Sequence, residues 1–129
     1  MITNLDTRSV PSEYAKFLDK LEWTHFATFT TKLEVGYKAV ERLAEKIAKK
    51  IPTKNSAGLK MFWVGEQFAN GDGYHLHCLI FCPQSREANQ LKMWYEATHG
   101  LCKVLSKKNG ASSYVVKKLD HRLTEYGFF

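Results

Sequence analysis

The chain has 129 residues, enough for one compact core and too few for two, so a single domain over residues 1–129 is expected. With 44% hydrophobic and 25% charged residues it is too apolar for a disordered chain, and no apolar run is long enough to cross a membrane. Nineteen Lys and Arg against thirteen Asp and Glu leave a net charge of +6, which favours a polyanionic partner without naming it.

From Pro11 to Leu21, Tyr14, Phe17, Leu18 and Leu21 recur at helical spacing, with Ser9 or Ser12 available as the cap. Trp23–Thr31 reads WTHFATFTT, an aromatic and β-branched run that suits a strand. Val35–Ile51 lines up Val40, Leu43, Ala44, Ile47, Ala48 and Ile51 on one stripe and charged residues on the other, which predicts a helix stopped by Pro52. A second strand, Lys60–Ala69, and a third, Tyr74–Phe81, flank the turn Asn70–Gly73 and form a hairpin. Ser85 can cap a helix to about His99, with Gly100 in the left-handed position that ends it. Leu101–Leu105 reads as a fourth strand, and Ser112 to about Arg122 as a last helix. Strands with interspersed helices predict an α+β fold, a central antiparallel sheet covered by helices on both faces.

Cys78, Cys82 and Cys102 have neither the paired short gaps of a structural zinc site nor the even count of a disulfide framework, so a reducing compartment is expected. Met1–Val10 is polar and lacks the apolar core of a secretion signal. Cytoplasmic residence, with no membrane partner, is the expectation.

Alternate residues of a strand point the same way, so His75 and His77 share one face about 6.7 Å apart along the chain. A turn of two or four residues sets Glu66 opposite His77 and Phe68 opposite His75, with cross-strand Cβ separations of about 5 Å. Two imidazoles and a carboxylate leave open positions on a divalent ion, which can then polarise a phosphate oxygen. Phe62, Val64, Phe68, Leu79 and Phe81 share that face; Met61, Trp63, Leu76, Cys78 and Ile80 take the reverse, so Cys78 points away from the histidines. The blander reading makes His75 and His77 ordinary strand residues and Glu66 a hydrogen-bonding neighbour.

In the last helix Tyr114, Lys117 and Lys118 project together while Val115, Val116 and Leu119 form the packing side. A phenol ionises near pH ~10, so as a nucleophile it needs nearby cations or a metal acting on the phosphate it attacks. The plainer alternative is a rim tyrosine beside a solvated lysine face.

The histidine pair, the upstream Glu66 and the later Tyr114–Lys117 together resemble the HUH endonucleases, specifically single-tyrosine replication initiator (Rep) proteins of plasmids and small DNA viruses. The likeness runs from Phe26 to Leu119 and implies a ferredoxin- or RRM-like sheet. It implies that Glu66, His75 and His77 bind manganese or magnesium, that Tyr114 attacks and that Lys117 assists at the phosphate. The segment Phe26–Thr30 resembles the family's first motif, which makes Thr28 and Thr30 candidate DNA contacts; Lys107, Lys108 and Lys118 flank the nucleophile as candidate phosphate contacts. Position 118 is Lys where two-tyrosine members carry a second tyrosine, and Tyr126 lies beyond the motif as a poor substitute.

The resemblance implies site-specific nicking and joining of single-stranded DNA at a replication origin, free or in a hairpin, through a 5′-phosphotyrosine bond that starts rolling-circle replication. No GxxxxGK[ST] loop occurs, so helicase and polymerase would be host or separate proteins. Homodimerisation is left open. Two other readings remain: a single-tyrosine transposase of the same superfamily, which works as a dimer, and a non-catalytic single-strand or RNA-binding module that uses Trp23, Phe26 and Phe29.

Overall fold

A computed structural model describes residues 16–31, 37–67, 74–106 and 125–129. In chain order it contains β1 (His25–Thr31), α1 (Tyr37–Lys49), β2 (Met61–Gln67), β3 (Tyr74–Ile80), α2 (Ser85–Thr98), β4 (Gly100–Ser106) and β5 (Glu125–Phe128). The strands form one sheet in the order β4-β1-β3-β2-β5, and every pairing is antiparallel. The fold is α+β, as composition and pattern predict.

Each boundary has a local cause. β1 begins two residues later than the aromatic run suggests because the Thr24 hydroxyl takes over the edge bonding: it donates to the Ile80 carbonyl and accepts from the Cys82 amide at 2.7 Å. The last turn of α1 tightens, with the Lys50 and Ile51 amides bonding three residues back, before Pro52 forbids continuation. Buried Asn55 then organises the approach to β2, since its Oδ1 accepts from the Ala57 and Leu59 amides at 3.0 Å and its carbonyl from Gly58. Gly58 sits at φ +77, a conformation open to glycine without a Cβ penalty.

α2 departs from expectation at both ends. Its cap is Gln84, whose amide donates to the Glu87 carboxylate at 3.2 Å, and Ser85 is already helical. At the other end His99 stacks on Tyr95, with ring centroids 5.2 Å apart, and closes the helix. Gly100 enters β4 directly and is not in the left-handed region, because its pairing with Thr31 needs extended backbone.

Both long helices cover one face of the sheet. Val40, Ala44, Ile47 and Ile51 of α1 and its C-terminal turn, and Leu91 and Tyr95 of α2, pack on Ala27, Phe29, Met61, Trp63, Leu76, Cys78 and Ile80. On the opposite face Leu18, from a helical turn at residues 16–19, packs with Trp23 on Phe62, Val64 and Leu79. The alternation read from β2 and β3 therefore holds on both faces, and helical residues lie on each. β5 was not anticipated; its four residues pair with β2 from Phe62 to Gly65, and Phe129 exchanges backbone bonds with Met61. The last predicted helix, the Asn70–Gly73 turn, the Ser9 and Ser12 caps and Phe68 lie outside the described residues.

All three cysteines are free and buried. Burial, with Glu87 nearby, pushes the Cys82 thiol from the ordinary 9.0 to about 11. Burial and Glu96, partly opposed by Lys92, raise Cys102 to about 12, and burial raises Cys78 further from the ordinary value. A thiol held protonated in the fold but ionised when unfolded contributes stability that is complete below pH ~9. That contribution drains away as pH rises toward 11–12. Native protein at pH 8 should therefore react with a thiol reagent only as fast as it unfolds, all three sites becoming available together in denaturant. Fast reaction of one cysteine under native conditions would contradict its burial.

Candidate metal centre on the open sheet face

β3 lies in the middle of the sheet, and β1 and β2 flank it. On the face opposite α1 and α2, its two histidines head two cross-strand rows: Lys103, Thr28, His77, Val64 and Tyr126 in one, Leu101, Thr30, His75 and Glu66 in the other. The pairing closes at Gln67 and Tyr74, so Glu66 stands opposite His75 and Val64 opposite His77. This corrects the predicted register, in which Glu66 faced His77. The shift is of two residues, and an even shift preserves the face, so the carboxylate still stands beside both imidazoles.

Glu66 in fact leans diagonally: its Oε2 lies 3.5 Å from His77 Nε2, with both side chains largely shielded from solvent. The two imidazole centroids are 5.9 Å apart, tilted by 30°. Phe26 stacks on His77 at 6.4 Å and limits its rotation. Burial lowers the pKa of His75 from the ordinary 6.5, against the opposing pull of the Glu66 carboxylate, so the ring is neutral at pH 7 and has a lone pair to offer.

Thr28 and Thr30, expected from the resemblance to touch DNA, are found against the histidines. Thr30 Oγ1 is 3.2 Å from His75 Nδ1 and Thr28 Oγ1 is 3.5 Å from His77 Nδ1. A hydroxyl on each Nδ1 fixes ring orientation and leaves Nε2 for the site, the role that outer partners play around metal-bound histidines. The signal was present in the sequence: hydroxyls at alternate positions of a neighbouring strand share the face of an HxH pair. Tyr126, set aside as a nucleophile, is half-exposed on the same face in the His77 row.

The donor set suits a hard divalent cation. Two donors each about 2.1 Å from one ion can stand up to roughly 4 Å apart. The 3.5 Å between Glu66 and His77 falls within that limit. Among the described residues no three His, Cys, Asp or Glu side chains close on a common point as they stand, and His75 is the outlying member. Tyr114, Lys117, Lys107, Lys108 and Lys118 lie outside the described residues.

Among the described residues no helix is long and apolar enough to cross a membrane. Searches of curated proteins and of solved structures give no significant match. A family model for replication-associated proteins of the ORF2 type matches residues 24–122, a span that contains β1 to β4 and both histidine rows. On that match over most of its length, the chain belongs to the ORF2-type family of replication-associated proteins.

Proposed function

We propose that this replication-associated protein nicks and rejoins single-stranded DNA in the manner of HUH-type, single-tyrosine initiators. The observation that carries the reading is the gathering of Glu66, His75 and His77 on one sheet face, with Glu66 3.5 Å from His77 and both imidazole Nδ1 atoms held by threonine hydroxyls. Manganese or magnesium on these residues would withdraw charge from a phosphate oxygen. The chain's own part is to hold the Nε2 atoms and the carboxylate toward that phosphate and to deliver the nucleophile.

That nucleophile is Tyr114. Its oxygen bonds to phosphorus as the phenol gives up its proton, the bond to the 3′-oxygen breaks and that oxygen leaves as a hydroxyl. The 5′-phosphotyrosine so formed conserves the bond energy, and attack by a 3′-hydroxyl reverses the step and rejoins the strand. Lys117, one helical turn along, offsets charge on the phosphate. The family match supports the placement, since its span includes both the histidine pair and Tyr114. The biological setting we assign is origin nicking for rolling-circle replication in the cytoplasm, with helicase and polymerase supplied by other proteins.

The binding-module alternative loses support from burial. Of its three strand aromatics, Trp23 is 5% exposed and Phe29 fully buried on the helix-covered face, which leaves Phe26 alone to meet a base. A transposase would use the same chemistry as an obligate dimer, so a monomer by light scattering counts against it.

The test is a labelled pool of single-stranded oligonucleotides incubated with manganese and resolved on a denaturing gel. A covalent protein–DNA band is expected, and Tyr114→Phe or chelator should each abolish it. A pool that binds without yielding that band would overturn the nuclease reading.

A further inference from the structure

On the other face of the sheet, at the same end as His75, a cavity of about 270 Å³ opens between α1 and the end of α2. It is lined by Thr31, Arg42, Lys46, Thr98 and His99 over an apolar floor that includes Leu43. Its volume is just under the ~300–1,000 Å³ of sites for drug-sized ligands, which suits one phosphate or one nucleotide.

The charge is one-sided. Arg42 and Lys46, a helical turn apart on the exposed shoulder of α1, project along its edge, and no carboxylate lines the cavity. The neighbouring cations are engaged elsewhere: Lys49 is 3.6 Å from Glu45, and Lys50 lies over the Trp94 ring at 5.2 Å. The Thr98 hydroxyl is 2.6 Å from His99 Nδ1, which holds that ring in place at the cavity wall. Burial and the nearby Lys46 both lower the His99 pKa, a sign that Lys46 stands close and that the wall is partly desolvated.

Thr30 and Thr31 are consecutive in β1, so they point to opposite faces. Thr30 bonds His75, while Thr31 lines the cavity. The two places are therefore separated by little more than the thickness of the sheet.

We infer that this cavity is a backbone-phosphate site for single-stranded nucleic acid, with Arg42 and Lys46 as the cations and Thr31, Thr98 and His99 as the polar wall. Guanidinium and ammonium groups at a partly desolvated site neutralise a phosphodiester, and an apolar floor accepts the sugar. The site needs neither Tyr114 nor a metal. It adds to the proposed function a second hold on the strand, and it rests on that reading only for the identity of the strand.

The test uses the full chain, with backbone amide shifts followed by NMR during titration with inorganic phosphate, then with thymidine 5′-monophosphate, then with a short oligothymidylate. Shifts centred on residues 42–46 and 98–99 are expected with all three, strongest with the oligonucleotide. The double variant Arg42→Gln, Lys46→Gln should lose them, weaken oligonucleotide affinity about tenfold and lower the salt slope by one to two charges, roughly −0.7 per phosphate contact. Lys20→Gln, Lys49→Gln removes the same charge from exposed positions outside the cavity and should change affinity far less. Equal weakening by both double variants would reduce the effect to net charge and overturn the site. Binding of phosphate or mononucleotide without the oligonucleotide would overturn its assignment to nucleic acid. His75→Ala should leave these shifts unchanged, so failure of the nuclease reading and failure of this one are separable.

Discussion

Replacing His77 with alanine is expected to lower manganese affinity, and with it the yield of covalent protein–DNA adduct, by at least about a hundredfold. Loss of an outer partner of a metal-bound histidine alone costs about 10–100-fold, and His77 is here a proposed ligand itself. It is also the residue that Glu66 reaches, at 3.5 Å, so its removal separates the carboxylate from its nearest companion donor. The fold should survive: the ring stacks on Phe26 at 6.4 Å at the margin of the core, and such a contact contributes about 0.5–1.5 kcal/mol. Calorimetric titration of the purified variant with manganese reads the affinity, and the adduct gel reads the chemistry. Unchanged affinity with unchanged adduct would remove His77 from the site. Glu66→Gln keeps the shape while deleting the charge, and should weaken manganese less than His77→Ala does.

Phe29→Ala carries the largest expected cost to stability. Phe29 is fully buried in β1, between its partners on β3 and β4, and meets the Tyr95 ring edge-on at 4.9 Å. Truncating such a side chain costs about 3–5 kcal/mol through lost burial and the cavity left behind. Total stability for a domain of this kind is only about 5–15 kcal/mol, so the melting temperature should fall by on the order of 10 °C or more. Met93→Ala, at a position 69% exposed on α2, should move it by no more than the roughly 0.5 kcal/mol of a surface change. Melting curves of the two variants by circular dichroism make the comparison, and coincident curves would contradict the burial of Phe29.

How much of this was legible beforehand follows from which signals are local. The face shared by Glu66, His75 and His77 depends only on parity along two strands, and so it survived a register wrong by two residues. The register itself depends on where pairing closes, and the Asn70–Gly73 signal placed that closure too near the glycines. α1 was legible from its stripe, but a stripe does not say which face of a sheet it covers. β5 could not be read because Glu125–Phe128 is short and its stability comes from the free edge of β2, a partner remote in sequence. The threonine contacts to the imidazoles were hidden for the same reason: Thr28 and His77 are 49 residues apart, and only the adjacency of β1 and β3 joins them. Gly100 was misplaced because a glycine after a helix serves equally as the first residue of a strand.

The β2–β3 hairpin also bears on the order of assembly. It is the short-range pairing of the sheet, whereas β1 finds β3 and β4 only after long loops close, which slows folding. A hairpin can form in about 1–10 μs, well before such closures. Because Glu66, His75 and His77 all lie on it, the carboxylate and both imidazoles can be aligned before the rest of the sheet is built. A divalent cation present during refolding would then favour the hairpin register that unites them, and the nucleus of the fold and the seat of its chemistry would be the same two strands.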